Sequence, residues 1–237
     1  MSAGSEAVLA SEVWKFHGDF PALRGVSVSA ARGSCLALLG RNGAGKTTLL
    51  RILAGLSAPS RGEVRILGTA PRLPVTRKRA GYLGHGIGIY DELTARENLL
   101  HFARLYGIAK RDAAVSNWLE RVDLKRVEQG RVREFSRGMR QRLAIARAFV
   151  HDPEVLLLDE PFTSLDDRAI ALLQSLLRDA LARGCTAVLS THQLREALEL
   201  ATHVALLDRG KLKFAGLRTQ AMLDMPPSVY SEVEHTG

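Results

Sequence analysis

Short unbroken apolar runs alternate along this chain with stretches in which apolar residues recur at every third or fourth position. Residues 34–39 (SCLALL), 155–160 (VLLLDE) and 185–192 (CTAVLSTH) have the length and continuity of strands buried on both faces. Leu49, Ile52, Leu53 and Leu56 follow the first run at helical spacing. Ile170, Leu173, Leu177 and Leu181 share one helical face across 167–183, which Gly184 stops. The segment 58–68 (APSRGEVRILG) predicts a turn and a strand, punctuated by Pro59 and Gly62. Residues 93–150 are mostly helical by pattern and rich in arginine, and Asp152-Pro153 breaks the last of these helices. A short helix after residue 192 and a hairpin over 204–216 (VALLDRGKLKFAG) complete the pattern. Strands alternating with helices predict an α/β fold, a mostly parallel sheet covered by helices on both faces. One domain over 1–237 is expected, with an inserted helical subdomain over about 87–150 and a tail over about 217–237 that the pattern leaves undefined.

Composition narrows this picture. A chain of 237 residues, 46% hydrophobic and 24% charged, has room for one large core and reads as soluble. No apolar run reaches the ~18–20 residues of a membrane-spanning helix. The first residues (MSAGSEAVLASEVW) lack the basic start and apolar stretch of a signal peptide. Cys35 and Cys185 both sit in apolar runs, which predicts buried, reduced thiols and a cytoplasmic chain. The net charge of +8 would suit nucleic acid, anionic lipid or polyphosphate. The basic cluster from Arg126 to Arg142 has no interleaved aromatic residues, which argues for a solvated face near a membrane or partner and against nucleic acid.

The chemistry begins after the first buried run. Residues 40–47 (GRNGAGKT) carry the G-x-x-x-x-G-K-T pattern between a strand and a helix. Such a loop turns consecutive N–H groups inward at a helix N-terminus, a nest that suits a polyphosphate. Gly40, Gly43 and Gly45 let the backbone approach phosphate oxygens. Arg41, Asn42, Ala44 and Thr48 complete the expected nucleotide-binding set. Lys46 supplies a point charge for the outer phosphates and Thr47 a hydroxyl for Mg²⁺. Asp159 and Glu160 end a buried strand, where ligands of α/β folds gather. Asp159 is expected in the Mg²⁺ shell and Glu160 to polarise the attacking water. Ser136 predicts a helix N-cap with the Gly138 amide exposed beyond it, a second anion site. His192, at the end of the third run, is placed to reach a γ-phosphate.

Together these segments resemble the nucleotide-binding subunit of an ABC transporter over nearly the whole chain. Residues 40–47 match its Walker A motif and 155–159 its Walker B. Glu160 matches the catalytic carboxylate, 136–139 the signature, 164–166 the D-loop and His192 the switch histidine. The resemblance implies a P-loop NTPase fold of ABC type with an N-terminal antiparallel β region, binding ATP with Mg²⁺ and hydrolysing it. It further implies a head-to-tail pair, with a second copy or a paralogue, in which Ser136 and Gly138 close over the partner's ATP. An integral membrane permease would carry the transport path, leaving this chain peripheral on the cytoplasmic face of the inner membrane. An aromatic from the N-terminal strand, Phe16 or His17, would stack on adenine. Two departures stand out. Arg137 and Met139 replace the usual signature glycine and glutamine, and His85 occupies the Q-loop position. Residues 81–108 look like those of the ATP-binding subunit of the cytochrome c biogenesis haem exporter. An exporter of drugs or other small molecules, or a non-transport ABC ATPase, is the alternative.

Overall fold

The computed structural model describes residues 6–84 and 88–224, so His85 lies outside the described residues. Two strands open the chain, β1 (Glu6–His17) and β2 (Phe20–Ala31), followed by β3 (Cys35–Leu39), helix α1 (Lys46–Leu53) and β4 (Arg61–Ile66). Next come α2 (Pro74–Arg77), β5 (Ala80–Leu83), α3 (Ala95–Leu105), α4 (Arg111–Arg121) and α5 (Arg137–Phe149). The C-terminal part alternates β6 (Val155–Asp159), α6 (Asp167–Ala182), β7 (Thr186–Ser190), α7 (Leu194–Leu198), β8 (His203–Asp208), β9 (Lys211–Leu217) and α8 (Gln220–Asp224). Six strands form one sheet in the order β5-β6-β7-β3-β8-β9, parallel except for the β8–β9 hairpin. A separate antiparallel sheet runs β2-β1-β4. The fold is therefore α/β, with a mixed sheet, helices and an added antiparallel region.

The period-two alternation of a strand divides the core. Leu36 and Leu38 of β3, with Val155, Leu157 and Val188, face α1 and the antiparallel sheet. Cys35, Ala37 and Leu39, with Leu156, Leu158, Ala187 and Leu189, face α3, α4, α5, α6 and α7. Every residue of β3, β6 and β7 is buried, which is why the three read as unbroken apolar runs. Each fully buried leucine contributes about 1.5–3 kcal/mol. Both cysteines are free and buried, and burial pushes both thiols up to about 12.

Local chemistry sets the helix ends. Thr94 and Glu97 form a reciprocal capping box at the start of α3. Buried Asn98 ties the preceding loop to that helix: its amide bonds both the N–H of Tyr90 (2.7 Å) and the carbonyls of Tyr90 and Thr94 (2.9 and 3.0 Å). Asp166 caps α6 through the Ala169 N–H at 2.8 Å. The helical spacing of Leu56 is not realised. Gly55, at φ 69°, ends α1 and turns Leu56 outward, 55% exposed. The arginine-rich stretch is likewise broken, by Gly107 and Asp123 at positive φ and by two short 3-10 turns at 125–127 and 132–134.

Candidate nucleotide site

Three parallel strands deliver the site at their C-terminal ends. β3 runs into the glycine loop and α1. Gly40 holds φ 140°, and a Cβ there would stand 2.2 Å from the Leu207 carbonyl oxygen. Gly45, at φ 107°, passes so close to Leu23 and the Ala22 carbonyl that a Cβ would meet them at 2.8 and 2.9 Å. Only glycine fits both backbones. Gly45 offers no side chain as a cap and α1 has no acid in its first turn, so the helix's leading N–H groups form an anion nest. Lys46, 6% exposed, donates to the carbonyls of Gly40 (2.5 Å) and Arg41 (3.2 Å), which fixes its ammonium along the loop.

Strand β6 adds the carboxylates and β7 a hydroxyl that holds one of them. Asp159 is 2% exposed and its Oδ1 accepts from the Thr47 hydroxyl at 3.0 Å and the Ser190 hydroxyl at 2.6 Å. Its Oδ2 is buried without a partner among the described residues. A buried carboxylate oxygen left unsatisfied beside a hydroxyl fits a hard cation such as Mg²⁺. Glu160 sits at φ 52°, and its N–H donates to the Ser190 carbonyl at 2.8 Å. His192 Nδ1 lies 2.9 Å from Glu160 Oε2, and the His192 N–H donates to the same oxygen at 3.3 Å. An ionised carboxylate only accepts, so this contact places the imidazole proton on Nδ1. A pocket of about 70 Å³ lies in front, lined by Gly84, Arg137, Gln141, Asp159, Glu160 and Thr163.

The remaining expected residues are distributed more widely. Ser136 caps α5 by accepting from the Met139 N–H at 3.2 Å. With Gly138 it lines a separate cleft of about 460 Å³ beside Ser164, Asp166, Arg142 and Arg168. Phe16 is half-buried and stacked on Trp14, with centroids 6.0 Å apart, while His17 is exposed. The register Phe16↔Pro21 and His17↔Phe20 carries both toward Ala22, the neighbour of the glycine loop. Phe20, 65% exposed, is a third aromatic at this edge that the sequence did not single out. Ser190 was equally silent, because only the β6–β7 register, Asp159↔Ser190, makes it a ligand of the carboxylate.

A glycine loop at a helix start, with paired carboxylates at the end of β6, defines an ATPase of the P-loop class. A family profile described as ABC transporter matches residues 23–163, and the chain belongs to that family as an ATP-binding subunit. The chain is 39% identical over 222 residues to the Nod factor export ATP-binding protein I of Rhizobium meliloti (strain 1021), covering 92% of this chain and 66% of that protein. The corresponding protein of Paraburkholderia xenovorans (strain LB400) is 41% identical over 209 residues, covering 86% and 69%. This chain thus spans about two thirds of the length of these relatives. Among solved structures, an ATP-binding subunit of an ABC transporter superposes with a TM-score of 0.87 at 29% identity, covering 98% of this chain and 100% of that one. A dimeric, post-hydrolysis ATP-binding cassette bound to ADP and Pi superposes at 0.79 with 26% identity, covering 90% and 99%.

Proposed function

We infer that this chain powers an exporter by hydrolysing ATP at the site above, against a separate membrane permease and a second ATPase chain. The observation that carries the reading is the Thr47–Asp159–Ser190 set, which joins the glycine loop to the strand that presents Glu160. The nest of residues 40–48 holds the triphosphate, with Lys46 countering its outer charge. Thr47 and Asp159 are the residues that would hold Mg²⁺, which when bound neutralises charge on the phosphate oxygens. Glu160 orients the attacking water and accepts its proton. His192 keeps that carboxylate in place through Nδ1, so a contact from Nε2 to a phosphate oxygen requires the imidazolium. Lys46→Ala should lower steady-state ATP hydrolysis by orders of magnitude while circular dichroism keeps the native signal. Turnover near that of the unaltered chain would refute the assignment.

In the assembly, Ser136 and Gly138 complete the other chain's site, and the inserted subdomain, near His85 to Leu100, docks on the permease on the cytoplasmic side of the membrane. Among the described residues no helix is long and apolar enough to cross a membrane. Two cargo readings stand. Haem rests on residues 81–108 and His85. Another small molecule is favoured by relatives named for export of Nod factor. Deleting the gene separates them: loss of c-type cytochromes supports haem, and their retention supports the other cargo.

A further inference from the structure

Helix α2, packed at the β5 edge of the sheet, is tied down by one side chain. Thr76 is its single buried residue, and its hydroxyl lies 2.7 Å from that of Thr69 and 2.9 Å from the Ala70 carbonyl. From the other side Gly55 packs against the approach to the helix, where a Cβ would stand 2.8 Å from the Pro71 carbonyl oxygen. Pro74 fixes the first turn. The segment is thus held firmly from beneath, and residues 72–75, 77 and 78 form an exposed ridge. Two of them are aliphatic: Leu73 is 46% exposed and Val75 55%.

The charge on this ridge has one sign. Arg72, Arg77 and Lys78 are exposed, and no Asp or Glu occurs between Glu63 and Asp91. The other two arginines of that stretch are neutralised, Arg65 by Glu63 and Arg79 by Glu154. Arg72, Arg77 and Lys78 make no ion pair among the described residues. Two exposed aliphatic side chains alone are ordinary surface. Set among three uncompensated cations on a rigid turn, they have the composition of an interfacial membrane contact.

We propose that residues 72–78 rest in the headgroup layer of an anionic bilayer, with Leu73 and Val75 turned toward the acyl chains and Arg72, Arg77 and Lys78 against lipid phosphates. The inference rests on the reading of this chain as the ATPase of a transporter, which brings it to a membrane surface. Long arginine and lysine stems keep their charged heads at the phosphate level while the aliphatic pair goes deeper. A fluid headgroup layer yields around a protruding ridge, whereas a folded protein would need a matching hollow that also supplies acids. Free phosphate would answer the charge but leave Leu73 and Val75 in water. Each cation close to an anionic surface strengthens binding about fivefold, so three give roughly a hundredfold preference for anionic over neutral lipid. Because Thr76 and Gly55 already fix the turn, little ordering accompanies docking.

The test is co-sedimentation of the purified full chain with vesicles of phosphatidylcholine alone or with about a third phosphatidylglycerol, at physiological salt. The anionic vesicles should bind roughly a hundredfold more tightly. Arg72→Gln, Arg77→Gln and Lys78→Gln together should remove most of that preference. The same loss of charge elsewhere, Lys211→Gln and Lys213→Gln on the far edge strand β9 with Arg126→Gln, should change it by less than about threefold. Leu73→Ser with Val75→Ser should weaken binding to anionic vesicles about tenfold while the urea midpoint stays unchanged. Equal losses from the two charge triples would mean that net charge alone acts, and would overturn the proposal. Binding that survives the serine pair, displacement by inorganic phosphate at constant ionic strength, or no binding to either vesicle overturns it too. None of these results bears on the transporter reading, which fails instead if no membrane protein co-purifies with the tagged chain.

Discussion

Glu160 adopts a backbone conformation that costs a non-glycine residue about 1–2 kcal/mol. Its N–H bond to Ser190 and its side-chain contact with His192 hold it there. The strain aims the carboxylate outward from the strand end while Asp159, one residue earlier, stays buried. A glutamine keeps this geometry and the charge-free contacts but cannot accept the water's proton. Glu160→Gln should therefore bind ATP and persist as an ATP-dependent dimer, read as a size change with and without Mg-ATP, preferably with the membrane partner present. A variant that stays monomeric with ATP would show that either the role of Glu160 or the dimer is wrong. At this scale the sequence was informative wherever spacing is local, as in residues 40–47 and Asp159-Glu160. It was silent for Ser190, whose bond to Asp159 depends on a register between strands 31 positions apart.

Elements were legible in proportion to how completely they are buried. β3, β6 and β7 announce themselves because no residue in them meets solvent. β1 and β2 do not: a bulge near Glu12, at φ 49°, shifts the pairing between Ala10 and Val13 and breaks the alternation that would reveal a strand. β5 is four residues long and includes Gly81, where a Cβ would collide with the Ala148 carbonyl at 2.2 Å. One inter-element contact has a pH signature. His151, just past α5, stacks on Tyr106 at 3.7 Å and makes a 3.2 Å contact with the Ala80 carbonyl of β5. Burial pushes its pKa from 6.5 down to about 4. The unfolded chain therefore binds a proton that the folded chain refuses, and stability falls as the pH drops from about 6.5 to about 4. The loss is on the order of 3 kcal/mol at most. His151→Phe keeps the stack but cannot titrate, so urea midpoints measured across that window should fall less with acid than those of the unaltered chain. Equal slopes would mean that His151 is protonated in the native state.

For the whole molecule, the parts of the site that were legible do not all meet in one chain. Lys46, Thr47, Asp159, Glu160 and His192 converge at the strand ends, whereas Ser136 and Gly138 line a different cleft. If that cleft serves the partner's nucleotide, two defective chains can repair each other. Lys46→Ala and Ser136→Ala should each be nearly inactive alone. Mixed, they form pairs with one intact site, and ATPase activity should reappear. A mixture no more active than its components would place Ser136 in its own chain's chemistry or in none.

The strand order has a bearing on how this protein is made. β3 lies between β7 and β8, yet roughly 150 residues separate its end from the first residue of β7. At a translation rate of ~5–20 residues per second, its backbone waits ~8–30 seconds for the first of the strands that pair with it. The nascent chain must therefore carry the middle of its sheet unpaired through most of synthesis. Until β7 emerges, residues 35–39 present unpaired strand edges, the feature that makes a folding intermediate prone to aggregate.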